Sequence, residues 1–350
     1  RSAGVGMIVA GPNVLLLGGR IQESADVGLR FQNGTLSPYS RAVRIVGGLS
    51  YPAELPMPAF ARLYPTPALQ DSLLGNARDT ATLYGPPLRS MVTVGPRLPL
   101  RIGGTVVVDS GGTFIAQPGA RIFFGRFGGI SVQDGGRLWS RGSAASPVLL
   151  TAIDPAVGWG GLHFGGWVAS TSYVTNTRLE LTGPSFGAIM AFGNHRVIVD
   201  SSVIRQTAFA AVLYSPNSRL MRTRVDTTLN SDWPAVQLAA NARIESTRIR
   251  ASAGIGLEVQ SYDAVVASCE IRDGEKDGIV MTNYSVPIHN CNLVNNPGVG
   301  IRNQAYSTAS VTGNWWGSTG GPAGPGGDGA GGPLIVSPWR TTPFVLPYLP

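Results

Sequence analysis

Apolar residues recur through the second half of the chain in three columns that share one period. Aligned in register, Ile189, Val212, Val236, Leu257, Ile279 and Ile301 follow one another at a near-constant spacing in the low twenties. A second column runs Val174, Val199, Leu220, Ile244, Val266, Ile288 and Val311. A third, a few positions further on, runs Leu179, Ile204, Val225, Ile249, Ile271, Leu293 and Trp316. Self-similarity at a period in the twenties marks a solenoid, whose units bury their apolar faces against one another. The units, between Gly160 and Gly317, are rich in Val, Ile, Thr and Ser and punctuated by Gly, Asn and Asp. That composition suits short strands and turns, and the 3.6-residue period of a helical repeat is absent. Three short strands and three turns use about 22 residues at roughly 3.3 Å per strand residue. One unit is therefore one rung of a parallel β-helix, with equivalent residues stacked about 4.8 Å apart.

Between the second and third columns lies a row of small, mostly polar residues: Thr177, Ser202, Thr223, Thr247, Cys269, Cys291 and Asn314. Such a row fits a tight corner where like side chains bond along the stack. Cys269 and Cys291 are the only cysteines and stand one rung apart. They read as stacked buried thiols; a disulfide is the alternative, although adjacent parallel strands need not aim their Cβ atoms at each other.

The stretch from Gly103 to Thr113, then Gln117 to Gly125, Gly128 to Val132, Gly135 to Leu138 and Gly158 to Leu162, has a characteristic opening pattern. With Asn314-Trp315-Trp316-Gly317, the Gly/Pro run and Ser337-Pro338-Trp339, it resembles right-handed parallel β-helix repeat proteins of the pectin-lyase-like type. The resemblance covers about residues 90 to 340. It implies an all-β solenoid and a secreted or surface-exposed bacterial protein. It leaves function open, because that fold carries lyases, hydrolases, tailspikes, adhesins and inert surface proteins.

Three segments follow from this. Residues 1–101 form a less regular N-terminal part, with short strands expected at 14–17, 19–21, 27–31 and 42–46; a separate small sandwich is the alternative there. The proline-dense stretch 51–67 reads as an extended arm lying over a surface. Residues 102–317 form the β-helix, and 318–350 a Gly/Pro/Trp-rich C-terminal cover and extended tail. Trp315, Trp316 and Trp339 are expected to cover the last rung, because an open solenoid end exposes strand edges. The apolar tail from Pro343 is expected to dock on the molecule, join a following domain or pack on a neighbour. The chain starts at Arg1 without Met, which suggests a piece of a longer precursor. Its first rung should then be covered by upstream sequence, another protein or a second copy.

Composition narrows the chemistry. Hydrophobic residues make up 43% and charged residues 13%, which is not a disordered balance. No apolar run reaches eighteen residues, so no membrane-spanning helix is expected. The 27 basic residues include a single lysine, Lys276, and the arginines are dispersed. Despite a net charge of +7, nucleic-acid binding is not indicated.

Candidate sites are few. Arg205, Asp226, Arg250 and Arg272 form an outward charge column in which Arg250 and Arg272 stack like charges that could attract an anion. Arg248 over Glu270 reads as a cross-rung pair. Tyr262, Tyr284 and Tyr306 are spaced by one period each and should stack on three rungs, either as a carbohydrate-binding strip or as a structural corner. Asp263, Asp273, Glu275 and Asp277 are not repeated from rung to rung as a calcium column, and His163, His195 and His289 share no column. No catalytic residue, metal site or cofactor is assigned. The expectation is a structural or adhesive protein, binding a surface polysaccharide or assembling through its ends with copies of itself or another cell-surface protein. The alternative is a lyase or glycoside hydrolase acting on an acidic polysaccharide.

Overall fold

The computed structural model describes residues 4–346 and divides into two compact units, 1–160 and 161–350. Both are coils of short parallel strands with three flat faces per turn.

In the second unit, the sequence columns become strand registers. On the first face, Leu179, Ile204, Val225, Ile249, Ile271 and Leu293 pair in succession, all pointing inward. On the second face, Val174, Val199, Leu220, Ile244, Val266 and Ile288 do the same. Sequence separation between partners stays nearly constant on these faces, with Val203↔Arg224 at the short end and Arg178↔Val203 at the long end. The third face corrects the sequence reading at one point. Ile189 pairs with Ala211, and Ala211 with Val236, so Val212 is not in the inward column. The strand Phe209–Leu213 is apolar and buried at every position, which erases the alternation that would have set its register.

The corner between the second and first faces turns sharply. Asn176, Ser201, Arg222, Ser246, Ser268 and Asn290 there all have positive φ, from 44° to 58°. A left-handed residue costs L-amino acids stability, and the next side chain offsets that cost. Ser202 Oγ accepts from Thr177 N–H (3.1 Å) and donates to Asp200 O (2.9 Å). Thr247 repeats the arrangement toward Thr223 N–H and Glu245 O. Cys291 Sγ accepts from Cys269 N–H at 3.5 Å, and Asn314 Oδ1 from Cys291 N–H at 2.8 Å. The two cysteines are free, buried thiols on this ladder, and burial pushes the Cys269 thiol up.

Past Trp316 the Gly/Pro segment does more than cover. It forms a short turn at Gly321–Ala323, then returns as Ala330–Gly331 and Leu334–Ile335, parallel to Ile301–Asn303 and Ala309–Ser310. Trp316 is buried, whereas Trp339 is 37% exposed and rests on Gly321, whose φ is +72°. Phe344 docks on its own chain through Asn292. The rest of the tail reading, at Pro347 and beyond, lies outside the described residues, as does Arg1-Ser2-Ala3.

The first unit is coiled less evenly. One face stacks Met7–Val9, Leu29–Phe31, Ala53–Pro56, Ala81–Tyr84, Leu100–Ile102, Arg121–Phe124 and Val148–Ala152, all parallel. Sequence separations there vary widely, from the short return Ala81↔Leu100 to the long return Glu54↔Thr82. The strands expected at 19–21, 27–31 and 42–46 occur as Arg20–Gln22, Leu29–Phe31 and Arg44–Val46. At 14–17 only isolated bridges form, and Met7–Val9 lies outside the expected set. The proline-dense stretch is not an extended arm. It makes the strand Ala53–Pro56 and the helix Met57–Leu63, where Pro58 occupies the first turn and its missing N–H costs nothing. That helix buries Met57, Phe60 and Leu63.

Candidate functional site

Four surfaces in the second unit bear on function. The expected charge column is in register: Arg205, Asp226, Arg250 and Arg272 pair across successive strands, and Glu180 extends it by one strand beside Arg205. Most of its charges are internally matched. Arg205 meets Glu180 at 2.9 Å, and Asp226 turns to Arg224 on its own strand at 2.6 Å. Arg248 reaches Glu270 at 2.7 Å, as its position suggests. Arg250 and Arg272 are cross-strand neighbours with Asp273 between them, at 3.4 and 2.8 Å, and Arg272 also approaches Glu270 at 3.7 Å. The Arg272 guanidinium, with Asn295 assisting, holds the Asp273 carboxyl below its ordinary range. A shallow cleft of about 420 Å³ lies over Arg205, Asp226 and Arg250.

The tyrosine row is on the outside. Tyr262, Tyr284 and Tyr306 are 71%, 49% and 106% exposed, so they do not line a core corner. Tyr262 and Tyr284 meet edge to face at 5.6 Å between centroids.

In the acidic stretch after Asp273, Asp277 is tied to arginine. Burial alone would raise the Asp277 carboxyl, but Arg302 (2.5 and 3.1 Å) and Val299 N–H (2.8 Å) outweigh it and hold Asp277 ionised. Among the described residues, no three His, Cys, Asp or Glu side chains converge as a metal ion requires.

The richest surface is one that the sequence columns do not single out. The outward positions of the third face run Met190, Val212, Gln237, Glu258, Val280 and Arg302. At its centre Glu258 accepts from Gln237 Nε2 at 2.7 Å and from Gln260 Nε2 at 3.0 Å. Tyr214 Oη donates to Gln260 Oε1 at 3.0 Å. Gln237 is 5% exposed, yet its Oε1 has no hydrogen-bond partner. Such an orphaned buried acceptor costs the fold stability.

Aromatic rings flank this network on both sides. Phe192 and Tyr214 meet edge to face at 5.6 Å, and Phe209 and Trp233 stack at 5.3 Å. Gly187 makes the second pair feasible, because a Cβ there would collide with the Phe209 ring. Phe209, Val212 and Ala208 form a small apolar cluster with Met190 and Tyr214 outside the main core. The sequence signal for this face is present, since Val212, Gln237 and Glu258 share a column. The one-residue slip at Val212 hides it.

The family model described as Right handed beta helix region matches residues 166–315. Comparison with curated proteins and with solved structures returned no match. The matched span coincides with the most regular rungs, and parallel strands stack in the same way through residues 7–152. The chain folds as a right-handed parallel β-solenoid, consistent with a pectin-lyase-like β-helix repeat protein.

Proposed function

We propose that this is an extracellular or cell-surface β-helix protein that binds a polysaccharide along the outer side of its third face, without cleaving it. The observation that carries the reading is the Gln237–Glu258–Gln260 network, set between two aromatic pairs. Sugar rings present apolar C–H faces that pack on aromatic surfaces and hydroxyls that exchange hydrogen bonds with planar amides and carboxylates. Exposed Tyr262, Tyr284 and Tyr306 follow shortly beyond Gln260 and on later rungs, and supply a second strip for the same chain.

Binding is favoured over hydrolysis by the state of the acids. Glycosidic cleavage needs two carboxyl groups about 5–9.5 Å apart, one of them able to deliver a proton. Asp277, the acid on the next rung, is held ionised by Arg302 and is a poor proton donor. Localisation at a bacterial surface follows only from the family resemblance.

Affinity electrophoresis in gels containing neutral and acidic polysaccharides tests the reading. The wild type should be retarded by at least one polymer, and Tyr214→Ala with Gln237→Ala should lose most of that retardation. Tyr284→Ala should lose a smaller part. Retardation unchanged in the double variant would sink the third-face site. Release of unsaturated sugars or of reducing ends would overturn the non-catalytic reading.

A further inference from the structure

The first unit holds two arginines whose arrangement differs from that of the arginines paired with acids. Arg78 and Arg101 both donate to a single acceptor, Tyr51 Oη, the first at 3.0 Å. Their guanidinium carbons also lie over the Tyr51 ring, 5.2 and 5.1 Å from its centroid. Two like charges are thus drawn to one neutral oxygen. Among the described residues, neither has a carboxylate within ion-pair distance. The acids closest in sequence and register are already committed. Asp79 accepts from the amides of Gly75 and Asn76, and Glu54 is taken by Arg30 at 2.8 Å.

These groups line a cleft of about 350 Å³ with Thr80, Phe123 and Ile153. Arg101 is flanked on its ladder by Thr82 on one side and Phe123 on the other, so one wall is apolar. Tyr51 Oη accepts twice, and its own proton is left to donate. Thr80 offers a second hydroxyl beside it. The cleft therefore collects two guanidiniums and two hydroxyl donors around an apolar floor, with no anion of its own.

We propose that this cleft is a binding site for a phosphate or sulfate monoester carried on an apolar or aromatic group. A carboxylate presents one edge, which a single arginine fork fills. A tetrahedral oxyanion presents three peripheral oxygens and takes guanidiniums arriving from two directions, together with the hydroxyls between them. An incoming anion also relieves the repulsion between Arg78 and Arg101 that Tyr51 alone leaves in place. Phe123 and Ile153 set the preference for an apolar substituent over free inorganic anion. The site is independent of the polysaccharide reading, which rests on different residues.

Isothermal titration of the full chain with phenyl phosphate, phenyl sulfate, inorganic phosphate and benzoate tests the proposal. At least one aromatic monoester should bind saturably, more tightly than inorganic phosphate and benzoate. Arg78→Gln and Arg101→Gln should each weaken it by about tenfold, the worth of one charge-assisted hydrogen bond. Arg137→Gln, an exposed arginine on another strand, should leave it unchanged. Circular dichroism and melting temperature of each variant separate loss of binding from loss of fold. The proposal fails if neither monoester saturates. It also fails if benzoate or inorganic phosphate binds as tightly, or if the folded Arg78→Gln/Arg101→Gln double variant retains wild-type affinity.

Discussion

Both units set arginines on the outside of their coils and pair several of them with acids, but two arginines of the first unit are used differently. Between residues 178 and 273, Arg205, Arg224, Arg248, Arg250 and Arg272 all lie within reach of Glu180, Asp226, Glu270 or Asp273. In the first unit Arg89 and Arg97 likewise meet Asp109 and Asp71, whereas Arg78 and Arg101 converge on a tyrosine instead. Rung length explains the difference. Where the chain returns after a near-constant stretch, outward positions stay in columns, and a charge always has a fixed neighbour above and below. The long return from Glu54 to Thr82 and the short one from Ala81 to Leu100 bring Tyr51 and Arg78, which belong to no column, to the edge of the sheet. Regular rungs hold each charge beside a fixed neighbour, and at Tyr51 an irregular one leaves two arginines without an acid among the described residues.

The largest effect tests whether both units depend equally on their inward columns. Ile279 sits between Leu257 and Ile301, and Leu83 between Leu55 and Ile102; all six are fully buried. An unpaired carboxylate at either place should cost several kcal/mol or more and prevent folding. Ile279→Asp and Leu83→Asp are therefore both expected in the insoluble fraction, without a native circular dichroism spectrum. A soluble, normally melting Ile279→Asp would mean that the columns are not the core. The same result for Leu83→Asp alone would mean that irregular rungs tolerate what regular ones do not.

A smaller effect belongs to the second unit only, because all three histidines lie there. His195 is buried, with Ser170 Oγ and Ser172 Oγ each 2.8 Å from a ring nitrogen and Phe164 5.3 Å away. Burial lowers its pKa from 6.5 to about 4. The folded protein therefore holds it neutral where the unfolded chain would protonate it. Its contribution is complete above pH 6.5 and is lost as pH falls through about 4, amounting to about 3 kcal/mol. Asp328 runs the other way: burial, against hydrogen bonds from Asn296, raises its carboxyl, so acidification relieves it over the carboxylate range. Denaturant midpoints should fall from pH 6.5 to 4.5 in the wild type and change much less in His195→Gln. Parallel profiles would show that the acid sensitivity lies elsewhere.

What can be read from sequence is what the period repeats. The inward columns through Leu179 and Val174, the polar corner from Thr177 to Asn314, and the Arg248–Glu270 pair all depend on constant spacing, and all appear as expected. Val212 is misplaced by the sequence pattern because its strand is apolar on both sides: outside the core it is covered by Phe209, Met190 and Tyr214. With that slip goes the third-face site, whose polar members Gln237 and Glu258 gain meaning only in register. The Tyr51 cleft is not legible at all. Arg101 and Phe123 lie on strands, Tyr51 and Arg78 in the turns of rungs of unequal length, and no spacing rule brings Tyr51, Arg78 and Arg101 together. The helix Met57–Leu63 is hidden by its prolines, which sit where a helix begins rather than inside it.

The smallest effect concerns how a regular ladder ends. Asn292 continues the outward row of Arg248 and Glu270, but it is 3% exposed, because the tail lies on it. Its Oδ1 accepts from Phe344 N–H at 2.7 Å and its Nδ2 donates to Phe344 O at 2.8 Å. One side-chain amide thus imitates a backbone partner and fastens the tail, while the backbone of Asn292 pairs with Trp315. Arg340, 5.6 Å from the Phe344 ring, adds a weaker contact. Removing the amide leaves backbone groups that water can reach, so the net loss should be small, about 1 kcal/mol. Asn292→Ala should therefore melt only a degree or two below wild type, while trypsin cuts after Arg340 markedly faster. A chain ending at Thr342 should melt as Asn292→Ala does, and adding the substitution to it should change nothing more. If the two changes add, Asn292 stabilises the ladder itself, and the tail is held by something else.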